Sequence, residues 1–160
     1  MTRIGCTGHQ GLTLNTQRRI AAAIADLLAA QEAETVTGLC SLADGADQIF
    51  AFALLAAGGS LHAVLPSKRY VTTFGAPRPR RNYQALLAAA EQKETLPFDE
   101  PSEEAFLAAG IHVADSCDLL VAVWDDKRAV GKGGTGDVVG HALASGRNVE
   151  VIWPAGSRRL

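Results

Sequence analysis

Cysteine, methionine and aromatic residues are scarce in this chain: three cysteines, one methionine and 6% Phe, Trp and Tyr among 160 residues. The cysteines, Cys6, Cys40 and Cys117, are odd in number and lie in separate apolar segments. That arrangement offers neither a disulfide framework nor zinc-ligand spacing, so buried reduced thiols and a cytoplasmic setting are expected. The four histidines, His9, His62, His112 and His141, have no paired ligand spacing, and no metal is predicted; the last three are read as structural. No run approaches the ~20 consecutive apolar residues of a spanning helix, and the opening MTRIGCTG lacks the apolar core of a signal peptide, so no membrane role is expected. A formal net charge of -2 lacks the positive excess that a binder of duplex nucleic acid carries. Repeats and low-complexity tracts are also missing.

What is present is apolar material, 48% of the chain, enough to bury the core of one globular domain over residues 1–160. Short apolar runs alternate with helical periodicity. Arg3 to Thr7 reads as a strand ending in the loop GHQG. From about Asn15, Ile20, Ile24, Leu27 and Leu28 share one helical face. Thr35 to Leu39 is a second strand, followed by CSLADGADQ and a helix carrying Ile49, Phe50 and Leu54 that ends at Gly58 and Gly59. Leu61 to Leu65 is a third strand, stopped by Pro66. A polar loop is expected from Ser67 to Arg81, then a helix over Asn82 to Glu91 and a short strand over Lys93 to Leu96. Ser102, followed by Glu103 and Glu104, caps another helix. Asp118 to Trp124 is the most apolar strand; a helix from Thr135 to Ala144 and a strand from Asn148 to Ile152 close the chain. Strands alternating with helices predict an α/β, three-layer Rossmann-like fold with a mainly parallel central sheet and helices on both faces.

In such a sheet ligands lie beyond the carboxyl ends of the strands, which is where the unusual loops fall. The stretch AVGKGGTGDVVGH, residues 129–141, holds five glycines, a lysine and an aspartate. Gly131, Gly133, Gly134 and Gly136 would let backbone N–H groups approach an anion, the helix starting at Thr135 adds its positive end, and Lys132 and Asp137 supply polar contacts. The pattern is not a Walker loop, which needs GxxxxGK[ST]. Gly5, Gly8 and Gly11 are spaced GxxGxxG, not as a dinucleotide fingerprint, and these glycines could equally permit turns alone. Thr7 and His9 follow the first strand. His9 could contact a ligand, cap the first helix or sit exposed. Asp44, Gly45 and Asp47 stand at a helix start, where carboxylates favour the dipole in any protein; recognition of a ribose hydroxyl is the sharper reading. Lys68, Arg69, Arg78, Arg80 and Arg81 belong to the long loop on the binding edge. Trp124 is expected to pack.

The order TGH, SLADGADQ, VLP, SCDLLVAVWDD and GGTGDVVGHALASGRNVEVI resembles the SLOG superfamily of Rossmann-like nucleotide-binding proteins over nearly the whole chain. That superfamily includes cytokinin-activating phosphoribohydrolases, formerly called lysine decarboxylase-like, molybdenum cofactor carrier proteins and the DNA processing protein. The resemblance implies a nucleotide or nucleotide-derived ligand with its phosphate on the glycine loop. It also implies a departure: the phosphoribohydrolases carry PGGxGTxxE, and here Gly134 and Thr135 match the GT while Val138 stands where the glutamate acts and Val130 where the proline does.

The leading expectation is therefore a sensor or carrier of a phosphorylated, nucleotide-derived small molecule, with no required cofactor, using Gly5, Thr7, Gly8, His9, Asp44, Gly45, Lys68, Arg69 and the segment Gly131 to Asp137. The enzymatic alternative is a nucleoside 5′-monophosphate phosphoribohydrolase or a deoxyribosyltransferase-like glycosidase with Asp137 as acid or nucleophile, assisted by Asp125 or Asp126. A third reading is a module for a protein or single-stranded nucleic acid bound through Arg78 to Arg81. Alanine-rich helices with little polar outer face predict a homo-oligomer, a dimer or larger.

Overall fold

The computed structural model describes residues 2–32, 35–127 and 134–160. Over them the elements run β1 (Thr2–Gly8), α1 (Leu14–Ala29), β2 (Val36–Cys40), α2 (Ala46–Ala56), β3 (Ser60–Leu65), α3 (Pro77–Ala89), β4 (Gln92–Thr95), α4 (Glu103–Asp115), β5 (Leu119–Val123), α5 (Thr135–Ala144) and β6 (Asn148–Ile152). The strands form one sheet in the order β4-β3-β2-β1-β5-β6, and every neighbouring pair is parallel. The α/β Rossmann-like architecture expected from the alternation is what the chain adopts, with a sheet that is parallel throughout.

The sheet is sandwiched because its strands are apolar on both faces. Along β1, Ile4 and Cys6 enter the core shared with α1, α2 and α3, while a Cβ on the intervening Gly5 would sit 2.8 Å from Val113 of α4. Leu39, Val64 and Leu120 turn to the same second face, where Val113, Val138 and Ala142 of α4 and α5 cover them. Helix α1 buries Ile20, Ile24 and Leu28 at four-residue spacing, each contributing about 1.5–3 kcal/mol of apolar burial as an upper figure. Thr13 begins α1, its Oγ1 accepting the Thr16 N–H at 3.2 Å, and Ser102 caps α4 by accepting the Ala105 N–H at 3.0 Å.

The topology locates the site. From β1 the chain steps outward through β2, β3 and β4, and then returns through α4, which crosses the second face against β3, β2 and β1, to enter β5 on the other side of β1. The loop leaving β1 leads to a helix on one face and the loop leaving β5 to a helix on the other, so a crevice opens at the carboxyl ends of these two strands.

One segment differs from the sequence reading. The expected polar loop from Ser67 to Arg81 contains a 3₁₀ turn, Tyr70–Thr73, and helix α3 begins at Pro77, five residues before the expected Asn82. Two prolines disguise this start, yet Pro77 opens the helix and Pro79 falls in its first turn, where the missing N–H costs nothing. Arg78, Arg80 and Arg81 are therefore helical. Tyr70 and Phe74 turn inward, with Phe74 stacked on Tyr83 at 4.6 Å between centroids and Tyr70 packed edge-on against both Phe74 and Tyr83.

Candidate functional site at the carboxyl edge

A cavity of about 340 Å³ opens at this edge. Its floor is the end of β1, with Cys6, Thr7 and Gly8; one side is the β2–α2 loop and the first turn of α2, with Ser41, Ala43, Asp44 and Asp47; an apolar wall holds Tyr70, Phe74 and Phe106; and α5 contributes Thr135 and Val138. Of the residues singled out in the sequence, Thr7, Gly8, Asp44 and Thr135 thus meet in one cavity. Gly131, Lys132 and Gly133 lie outside the described residues.

The other candidates are placed elsewhere. Gly5 sits beneath α4 within the sheet. Lys68 and Arg69 are exposed and paired with the β4–α4 loop, Lys68 Nζ 3.1 Å from Asp99 and Arg69 2.7 Å from Glu100; neither lines the cavity. Gly45 starts α2 at φ +90°, and a Cβ there would press to 2.6 Å on the His9 carbonyl oxygen, so only glycine admits this turn. The close approach lets the Ala46 N–H donate to that carbonyl at 3.2 Å, tying the β1–α1 loop to α2.

His9 neither caps α1 nor sits exposed. It is buried; its backbone N–H donates to Val123 at 3.0 Å, and its Nε2 accepts the Asp125 N–H at 3.1 Å and lies 3.0 Å from Asp125 Oδ1. Burial depresses the imidazole pKa, and the bond to Asp125 only partly opposes it. A neutral ring thus joins the two loops that part at the crevice, with Trp153 edge-on at 5.7 Å. Arg159 reaches Asp125 at 3.5 Å, and the Leu160 and Thr13 N–H groups donate to Gly11 and Arg158, so residues 158–160 strap the β1–α1 loop. This strap follows the last element that periodicity marks and had no signal in the sequence.

On α5, Asp137 is exposed while Val138 is buried against the cavity. Successive helical residues diverge by about 100°, so the aspartate beside the valine faces another way. Asp125 and Asp126 are also absent from the lining, and the carboxylates that do line the cavity are Asp44 and Asp47. Thr135 is 7% exposed, opens α5 after Gly134, which provides no side-chain cap, and its hydroxyl bonds to no described residue. Gly136 follows it in the first turn.

Asp47 is the residue that the helix-start reading undervalued. Its Oδ2 accepts the Ser41 and Ala43 N–H groups at 3.2 and 3.3 Å, folding the β2–α2 loop back on the helix. Burial pushes the carboxyl up to about 7 against the pull of these two bonds. Beside it the thiols of Cys6 and Cys40 are driven well above their ordinary range by burial, which leaves them protonated and inert. Among the described lining residues there is no lysine, arginine or histidine, and among the described residues no group of His, Cys, Asp and Glu could hold a metal ion. No described helix is long and apolar enough to cross a membrane.

No family model matches the sequence, and no curated protein matches it significantly. Solved structures do match. The DNA processing protein A of Streptococcus pneumoniae superposes with a TM-score of 0.73 at 17% identity, covering 98% of this chain and 52% of that one; this chain spans about half its length. The DNA processing protein A of Helicobacter pylori, described in a single-stranded DNA binding mode, gives 0.68 at 16% identity, covering 99% and 68%. A molybdenum cofactor binding protein from the phototrophic bacterium Rippkaea orientalis gives 0.60 at 18%, covering 94% and 75%. The chain shares with them the Rossmann-like fold.

Proposed function

We propose that this chain binds a nucleotide or nucleotide-derived phosphorylated small molecule in the carboxyl-edge cavity and acts as its carrier or sensor. The observation that carries the reading is the cavity itself, which joins the start of α5, with no side-chain cap and with Thr135 buried and unpartnered among the described residues, to an aromatic wall of Tyr70, Phe74 and Phe106. A helix start with free N–H groups favours an anion, and aromatic faces favour a planar base. A volume of about 340 Å³ suits a mononucleotide-sized ligand. Lys132, Gly131 and Gly133 extend the same anion site in sequence. The R. orientalis protein, which shares the fold, is described as binding the molybdenum cofactor, a precedent for small-molecule carriage. Turnover is not favoured, because α5 turns Val138 and not the carboxylate of Asp137 to the cavity.

The test is a thermal-shift screen against nucleosides and their mono-, di- and triphosphates, cyclic nucleotides and ADP-ribose, with product analysis of each hit. A ligand at 100 times its Kd stabilises by about 2.7 kcal/mol, a shift of several degrees. The expected hit needs its phosphate, is recovered unchanged, and is weakened by Thr135→Val and Lys132→Ala. A panel without any shift overturns the binding reading, and consumption of the hit overturns the carrier.

A second reading, engagement of single-stranded nucleic acid, has one observation in its favour. Arg78, Arg80 and Arg81 are exposed on α3 beside the lining residues Ala76 and Pro79, and no acidic residue lies in that helix's first turn. Salt-dependent binding of an oligonucleotide that is lost in Arg78→Ala/Arg81→Ala would support it.

A further inference from the structure

We infer that Asp47 selects the base of this ligand, its free carboxylate oxygen accepting the adjacent N–H and exocyclic amino donors of a guanine-type ring. The inference rests on the cavity being a nucleotide site. Asp47 is only 7% exposed, lines the cavity, and spends Oδ2 on the Ser41 and Ala43 N–H groups. Oδ1 makes no bond to a described residue, although a carboxylate oxygen offers two lone pairs.

This oxygen opens on the cavity, and the described lining holds no cation to pair with it. An occupant of the cavity can supply its donors. Guanine presents two side by side, a ring N–H and an amino group, so both can reach the two lone pairs of one oxygen. Adenine presents an amino group beside a ring acceptor that would face the carboxylate unfavourably, and hypoxanthine lacks the amino group. The loop is held where it matters: the two backbone bonds anchor Oδ2, and Gly45 and Gly8 let α2 close onto the end of β1, where a Cβ on Gly8 would lie 2.5 Å from the Ala46 Cβ.

The experiment is calorimetric titration of the full chain at pH 8, above the pH of about 7 at which Asp47 ionises, with 5′-GMP and with 5′-IMP, 5′-AMP and N1-methyl-GMP, the last three each removing or masking a donor on the ligand side. Wild type is expected to favour 5′-GMP by about tenfold or more over the others, the discrimination of a lost buried hydrogen bond. In Asp47→Asn the amide oxygen keeps the Ser41 and Ala43 N–H groups and the amide NH2 faces the cavity, so preference should pass from 5′-GMP to 5′-XMP, whose ring carries an acceptor in place of the amino group. Should that variant not fold, the wild-type series alone decides. Equal affinities for 5′-GMP, 5′-IMP and 5′-AMP overturn the assignment while leaving nucleotide binding intact; retained 5′-GMP preference in Asp47→Asn moves the selection to another residue. No binding of any of them overturns the nucleotide site and the assignment together.

Discussion

Val138 of α5 fills the space that a Cβ on Gly110 of α4 would need. The two helices cover the second face of the sheet through this contact, and both residues line the cavity. Gly110→Ala should therefore destabilise the fold by about 1–3 kcal/mol through overpacking, outweighing the gain of about 1 kcal/mol that alanine brings to a helix interior. Val138→Ala should relieve the clash, so the double variant should be more stable than the two separate losses predict. Urea unfolding of the three variants checks this; additive losses would show that the helices do not meet here.

Asp47 should make stability depend on pH in a direction opposite to most carboxylates. The unfolded chain ionises it near pH 4, while the folded chain holds its proton up to about pH 7. The preference for the folded state is complete below pH 4 and is lost as pH rises through 7, a change of roughly 4 kcal/mol at most. Cys6 and Tyr70, which line the same pocket, and Cys40 beside Asp47 stay protonated throughout. Asp47→Asn should match wild type near pH 4 and melt several degrees higher at pH 8. Equal melting temperatures at pH 8 would mean that Asp47 ionises freely in the fold.

His9 is expected to behave in the opposite sense. Burial lowers its folded pKa below 6.5 and the Asp125 bond partly restores it, so the contribution of the neutral ring is present above about pH 6.5 and is lost on acidification. Asp125→Ala should depress the His9 pKa further, seen by NMR titration of the imidazole, while the backbone N–H at position 125 keeps its bond to His9 Nε2. An unchanged titration would separate His9 from Asp125.

Glu94 at the outer strand bonds His62 at 2.9 Å and His112 at 2.8 Å through one oxygen. Burial alone would raise its pKa, but the two histidines hold it lower, so this contribution is present above pH 4 and lost as pH falls below it. Glu94 is too exposed for a large effect: Glu94→Gln should cost about 1 kcal/mol or less at pH 7, measured by denaturant midpoint, with the difference fading in acid.

The sequence by itself determined the layered fold. Ile20, Ile24 and Leu28 repeat at helical spacing, LLVAV is apolar without alternation, and the glycine-rich loops fall at one edge; these are local patterns, and local patterns specify elements. Only the tertiary structure decided what those residues meet. Helix α3 starts at Pro77 because the first turn tolerates proline, which periodicity does not register. Tyr70 and Phe74 wall the cavity because Tyr83, in the next helix, receives them. His9 is spent on Asp125, 116 residues away, and Lys68 and Arg69 on the β4–α4 loop. Asp47 has the residue type and position of an ordinary helix-start carboxylate, and it faces the cavity because the Ser41 and Ala43 N–H groups hold one of its oxygens and the closure of α2 onto β1 buries the rest. Spacing along a chain carries no record of such long-range approaches, since a side chain's surroundings are set by whichever elements the topology brings beside it.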